Sequence, residues 1–203
     1  MAVNVKLGSS FPVPAARDRV FAHFLDPDSM RACVPGCVEL VRVDETHYEG
    51  RLVNEISHVR FSAGFTAEIT ELSAPAQVRA LLRGEDRKLG SSIKVDATLA
   101  VRDESPASSL VEFGLDLALW GKLGRMGESI VRRRSEEVQR QFVADFSRVC
   151  AAGPPGPDNP VVRELTAPPS EATAAAPEGS GAVRRWWRRL LALLRGRRAA
   201  ARR

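Results

Sequence analysis

The sequence predicts an α+β fold: a strongly curved antiparallel sheet of about seven strands around a long C-terminal helix, with two short helices closing one end. Three observations predict it. Segments in the middle of the chain alternate apolar and polar residues with period two: Val59, Phe61, Ala63, Phe65, Ala67 and Ile69, then Ile93, Val95, Ala97, Leu99 and Val101, then Val111, Phe113, Leu115, Leu117 and Leu119. Each is the pattern of a strand with one apolar face. Towards the end of this region Leu123, Met126, Ile130, Val138, Phe142, Phe146 and Val149 recur mostly at helical spacing, interrupted at Arg134. A sheet with one apolar face and a helix with one apolar stripe must each be covered, and each can cover the other.

The elements come in order. A strand is expected over 3–11. Pro14 marks a helix start, and the helix places Val20, Phe21, Phe24 and Leu25 on one face. Asp26-Pro27 breaks it. Asp28 is expected to cap a second short helix, which Pro35-Gly36 ends. Strands over 38–43 and 48–55 flank Asp44-Glu45-Thr46-His47 as a hairpin. Ala74-Pro75 turns the chain into QVRALLRG (77–84), and the long helix runs over 123–150.

Three regions divide the 203 residues: a body, 1–150; a linker, 151–182; and a tail, 183–203. The linker holds seven of the thirteen prolines and no apolar periodicity, so it is expected to be disordered. At that length a flexible chain spans roughly 30 Å root-mean-square. The tail, which opens VRRWWRRLLALLRGRR, has nine arginines and no carboxylate. Those nine exceed the whole formal net charge of +5, so the remainder is net acidic.

On a helical wheel Trp186, Trp187, Leu190, Leu191 and Leu194 share one half of the tail with Val183 and Leu193, and Arg184, Arg185, Arg188 and Arg189 share the other with Arg195. An amphipathic helix with indoles on its apolar side and arginines on its polar side fits an anionic membrane surface. Two other partners compete. Nucleic acid would use the arginines but not the leucine stripe, and the body carries no recognisable reading motif. A groove in a protein partner would use the stripe. The membrane uses both faces, and no nucleic-acid partner is expected.

Cys33, Cys37 and Cys150 are odd in number and form no CxxC, which argues against a disulfide framework or zinc site and for reduced thiols in a cytoplasmic protein. The N-terminus MAVNVKLGSSF has no secretory h-region, and no apolar run nears the ~18 residues of a spanning helix. His23, His47 and His58 form no metal-ligand spacing, and no GxSxG elbow occurs. No catalytic or metal-ligating residue is therefore expected.

The stretches FPVPAARDRVFAHFLDPDSMRACVPGCVEL (11–40), HYEGRLV (47–53) and WGKLGRMGESIV (120–131) resemble the carbon monoxide dehydrogenase G-subunit family, within the START-like helix-grip superfamily. The Asp-Pro followed by Cys-x-Pro-Gly carries most of the likeness, and the spaced Gly121, Gly124 and Gly127 carry the rest. The resemblance implies a non-catalytic accessory protein of a molybdenum hydroxylase, with a lipophilic quinone in an apolar cavity and no covalent cofactor. It implies recruitment of that enzyme to the membrane, and hence a cytoplasmic protein peripheral on the inner face of the cell membrane. The candidate cavity residues are Phe61, Phe65, Ile69, Val95, Leu99, Phe113, Leu117, Met126 and Ile130, with Ala63, Ala67 and Ala97 leaving room. Two alternatives stay open: a docking subunit with a solid core, or a START-like enzyme using His58 or Asp96 as an acid or base.

Overall fold

The computed structural model describes residues 2–167. The tail with its arginines, tryptophans and leucines, and the second half of the expected linker, lie outside the described residues. The elements are β1 (Val3–Val13), α1 (Arg17–Leu25), α2 (Pro27–Cys33), β2 (Cys37–Arg42), β3 (His47–Ile56), β4 (Val59–Ser73), β5 (Gln77–Asp86), β6 (Ser91–Ser105), β7 (Ser108–Trp120), α3 (Gly121–Gly124), α4 (Glu128–Ala152) and α5 (Pro160–Thr166). The seven strands form one antiparallel sheet in the order β1-β7-β6-β5-β4-β3-β2. Hairpins join β2 through β7 in sequence, and β1 closes on β7. Register shifts at Cys37/Glu39, Ile69/Glu71 and Asp103/Ser105 bend the strands.

Four local expectations are corrected. The first helix begins at Arg17 rather than Pro14, because Ala15 is buried in the core and its N–H donates to Val13 O. The second helix is capped by Asp26, not Asp28: Asp26 Oδ2 accepts from Ser29 N at 2.8 Å, with Pro27 in the first turn. The long helix is not continuous from 123. Gly127 sits at φ 89°, and α4 starts after it. The short α3 lies before that break, packed so tightly that a Cβ on Gly121 would overlap Gly90 O.

The fourth correction concerns 151–167, expected as part of a disordered linker. This stretch is ordered. Asn159, 2% exposed, caps α5 by accepting from Val161 N and Val162 N, and its amide donates to Val149 O and Pro154 O, both at 3.0 Å. Val162 is buried beside Val149 and Cys150, and Arg148 pairs with Glu164 at 2.8 Å. One cap and one apolar side chain hold a seven-residue helix too short to show periodicity.

Candidate functional site

Register places the apolar rows on the sheet face that looks towards α4. Val5, Leu117, Val95, Leu82 and Ala67 form one row, and Leu7, Leu115, Ala97, Ala80 and Ile69 form the next. The buried core between sheet and helices is divided into two clusters. One joins Phe11, Val13, Val20, Phe21, Val111, Phe146 and Val149 with α5 at the end closed by the short helices. The other joins Val5, Ile56, Leu119, Leu123 and Val131. Between them Phe65, Ala67, Ile69, Leu82, Val95, Ala97 and Leu115 are only half-buried and belong to neither cluster. Alanines in the middle rows leave the floor low there, and α4 packs mainly on β1, α2 and α5 and only lightly on β3. The arrangement can hold an apolar molecule by contact alone.

The nine candidate residues are distributed over this interior. Phe61, Leu117, Met126 and Ile130 pack against the second cluster, and Leu99 and Phe113 against the first. Phe65, Ile69 and Val95 lie on the stretch between. Two grooves indent the outward side of the sheet. One of about 1420 Å³ reaches Phe61 and Phe65 past the bare backbone of Gly64 and Gly84, and one of about 470 Å³ reaches Leu99 and Phe113. Aromatic contacts line the first cluster: Phe24 and Phe146 have ring centroids 4.1 Å apart, and Phe142 stacks on Phe146 at 5.3 Å.

Sequence reasoning assigns no role to Arg134, and the structure gives it one. It occupies the stripe of α4 one turn after Ile130. Its Nη2 donates to Asn54 Oδ1 on β3, and its Nη1 donates to Glu137 Oε2 at 2.7 Å. Its Nε is buried without a hydrogen-bond partner. The broken periodicity is the signal for this residue, but Asn54 gives none.

His58 and Asp96 do not reach the interior. His58 is exposed at the β3–β4 turn with φ 70°, and Asp96 points outward from β6. His23 is the buried histidine. Its Nε2 donates to Gly153 O at 3.1 Å, and its Nδ1 lies 2.9 Å from Ser29 Oγ, which is itself 2.6 Å from Asp26 Oδ2, so the one hydroxyl proton is shared between the ring and the carboxylate. Desolvation holds its pKa below the usual value, against the carbonyl of Gly153 and the charge of Asp26. The polar set ties α1, α2 and the end of α4 together. Burial likewise pushes the Cys33 thiol up to about 12 and Cys37 to about 11, so neither is a thiolate at neutral pH. Cys33 shares its cluster with Cys150 rather than Cys37. Among the described residues no group of His, Cys, Asp or Glu could hold a metal ion.

The family model of the carbon monoxide dehydrogenase G-subunit (CoxG) matches residues 9–151. The chain belongs to that family. For this CoxG family member the match runs from β1 to the end of α4, the segment that builds the apolar interior. A conserved protein from Geobacillus kaustophilus is similar in structure at TM-score 0.65 and 17% identity, covering 73% of this chain and 95% of its own. A START superfamily protein from Mycobacterium smegmatis is similar at 0.55 and 13%, covering 68% and 92%. The Mll3558 protein from Rhizobium loti has the same TM-score and identity, covering 73% and 98%. At these identities the likenesses establish the START-like fold of the CoxG chain and nothing finer. No curated protein matches it.

Proposed function

We propose that this protein is a membrane-tethered, non-catalytic accessory factor of a molybdenum hydroxylase of the carbon monoxide dehydrogenase type. It holds a lipophilic quinone or lipid between the sheet and α4 and brings the enzyme to the membrane. The observation that carries the reading is the half-buried apolar stretch of Phe65, Ala67, Ile69, Val95 and Leu115 between two packed clusters. A core that needed only to be solid would cover these side chains, since each fully buried apolar side chain contributes roughly 1.5–3 kcal/mol. Membership of the CoxG family supports the choice of enzyme. The START-like fold supports an apolar ligand. The composition of 183–203 supports an inner-face membrane location, reached by an amphipathic helix.

Within this reading the apolar floor holds the hydrocarbon part by shape. Arg134 and Asn54, the polar pair where α4 meets β3, supply hydrogen bonds for a carbonyl or head group. With His58 and Asp96 outside the interior, the residues suggested for an enzymatic alternative are out of place for it.

The test is extraction of the full chain, purified gently from its native membranes, with quantification of quinones and lipids by mass spectrometry. Near-stoichiometric quinone, lowered by Val95→Trp or Ile69→Trp, is the expected result. Protein free of quinone and of any lipid would leave a docking subunit, the reading that the two packed clusters favour. Flotation with anionic liposomes tests the tether separately. A chain ending at Ala182 should float much less than the full chain.

A further inference from the structure

We infer that the end of the sheet made by the β3–β4 turn, the β5–β6 turn and α3 is a second contact with an anionic phospholipid surface, made by the body itself. This inference rests neither on the tail nor on what the interior holds. Arg60, Arg87, Lys88, Lys122 and Arg125 are exposed there, and none has a carboxylate within ion-pair distance among the described residues. On the rest of the sheet Lys6, Arg51, Arg79 and Arg102 are paired, while Arg42, Arg83 and Lys94 are exposed singly. The acids at this end are Glu55, Glu85, the pinned Asp86 and Glu128, which pairs with Arg132, and Glu55, opposite Arg60 in the ladder, forms no ion pair with it. The end is therefore net cationic on a body whose sequence is net acidic.

The cations are held on a fixed frame. Asp86, 7% exposed, accepts from Ser62 N at 2.8 Å and Leu89 N at 2.9 Å, which pins the 87–90 turn to β4. Ser91 Oγ accepts from Leu123 N at 3.2 Å, and Gly121 meets Gly90 backbone to backbone, which pins α3 to the same turn. Apolar groups sit among the charges. Trp120 is 39% exposed and shares the wall of the outward groove with Arg60, Arg87, Lys88 and Leu89. Leu89 and Ile93, both half-buried, line the same wall. An exposed indole on a wall shared with unpaired Lys and Arg and with half-buried apolar side chains fits the boundary between head groups and acyl chains. An acidic protein surface would satisfy the charges but gives no reason for the exposed indole.

Trp120 reports on this contact. In the full chain, Trp186→Phe and Trp187→Phe leave it as the sole tryptophan of three. The probe is vesicles of phosphatidylcholine and phosphatidylglycerol in equal parts, with brominated acyl chains. The expected result is a blue shift and an emission loss on the order of half, absent with phosphatidylcholine alone. Adding Arg87→Glu and Lys88→Glu should weaken that quenching at least about tenfold, while the chain keeps its far-ultraviolet circular dichroism. Trp120 emission unchanged by anionic vesicles overturns the inference, whether or not the chain sediments with them through its tail. Equal quenching in the charge-reversed chain would overturn it as well.

Discussion

Arg134 on α4 donates to Asn54 on β3, a side-chain link between the long helix and the sheet across 80 residues. Asn54 Oδ1 also accepts from Glu55 N, and its amide reaches Pro35 O. The guanidinium, with one orphaned Nε, is an expensive occupant of an apolar stripe. Arg134→Met should therefore leave stability within about 1 kcal/mol of the parent, while Asn54→Leu, which strands the guanidinium, should cost about 1–3 kcal/mol. Urea denaturation of the two variants checks the asymmetry. Equal losses would mean that the pair stabilises through both partners alike.

Asn159 makes four hydrogen bonds that join α4, the loop after it and α5. Asn159→Ala should cost about 2 kcal/mol and release α5. Hydrogen exchange would read the release directly, as lost protection at the amides of 161–166 with little change in β6 and β7.

His23 should make stability pH-dependent in a window just below 6.5. Its folded pKa is lowered, so the unfolded chain binds the extra proton first. The stabilisation of the neutral imidazole is complete above 6.5 and is lost as pH falls from there through the lowered folded value. Melting temperatures measured from about pH 7 to about pH 5 should fall in the parent and fall less in His23→Gln, even though that variant starts lower. Parallel slopes would show that His23 is not the titrating group. Asp44 and Asp86, both held below the carboxylate range by backbone N–H donors, act only in stronger acid.

Phe146 is fully buried and in contact with the rings of Phe24, Phe142 and His23. Phe146→Ala should cost about 3–5 kcal/mol. Val138→Ala, half-buried in the same helix, should cost less, and calorimetry of the pair would show whether the centre of α4 is packed as tightly as its end.

The strands and the α4 stripe are legible in the sequence because period two and period 3.6 are set by which side chains must leave water, and the pattern survives over ten or more residues. Single-residue decisions are not legible. Whether Asp26 or Asp28 caps α2 depends on which carboxylate lies beside Ser29 N, and both precede plausible first turns. The order in 151–167 depends on Asn159 reaching carbonyls ten and five residues earlier. The candidate interior is legible as a face but not as a division. Nothing in the alternation of β4 and β6 tells Phe61 and Leu99, which join opposite clusters, from Ile69 and Val95, which join none. Arg134 is visible as a break, but its partner is not, because a contact across 80 residues leaves no local trace.

The pairing of β1 with β7 sets the timetable on the ribosome. From Val3↔Leu119 to Val13↔Ser109, every partner of the first strand is made about a hundred residues later. At typical elongation rates that is a wait on the order of 10 s. Until then Val5, Phe11 and Val13 have no ladder to join, although β2 through β6 can already zip as successive hairpins. The nascent chain therefore carries an unpaired apolar strand at its front, the kind of segment that chaperones cover and that misassembles when synthesis stalls between β6 and β7.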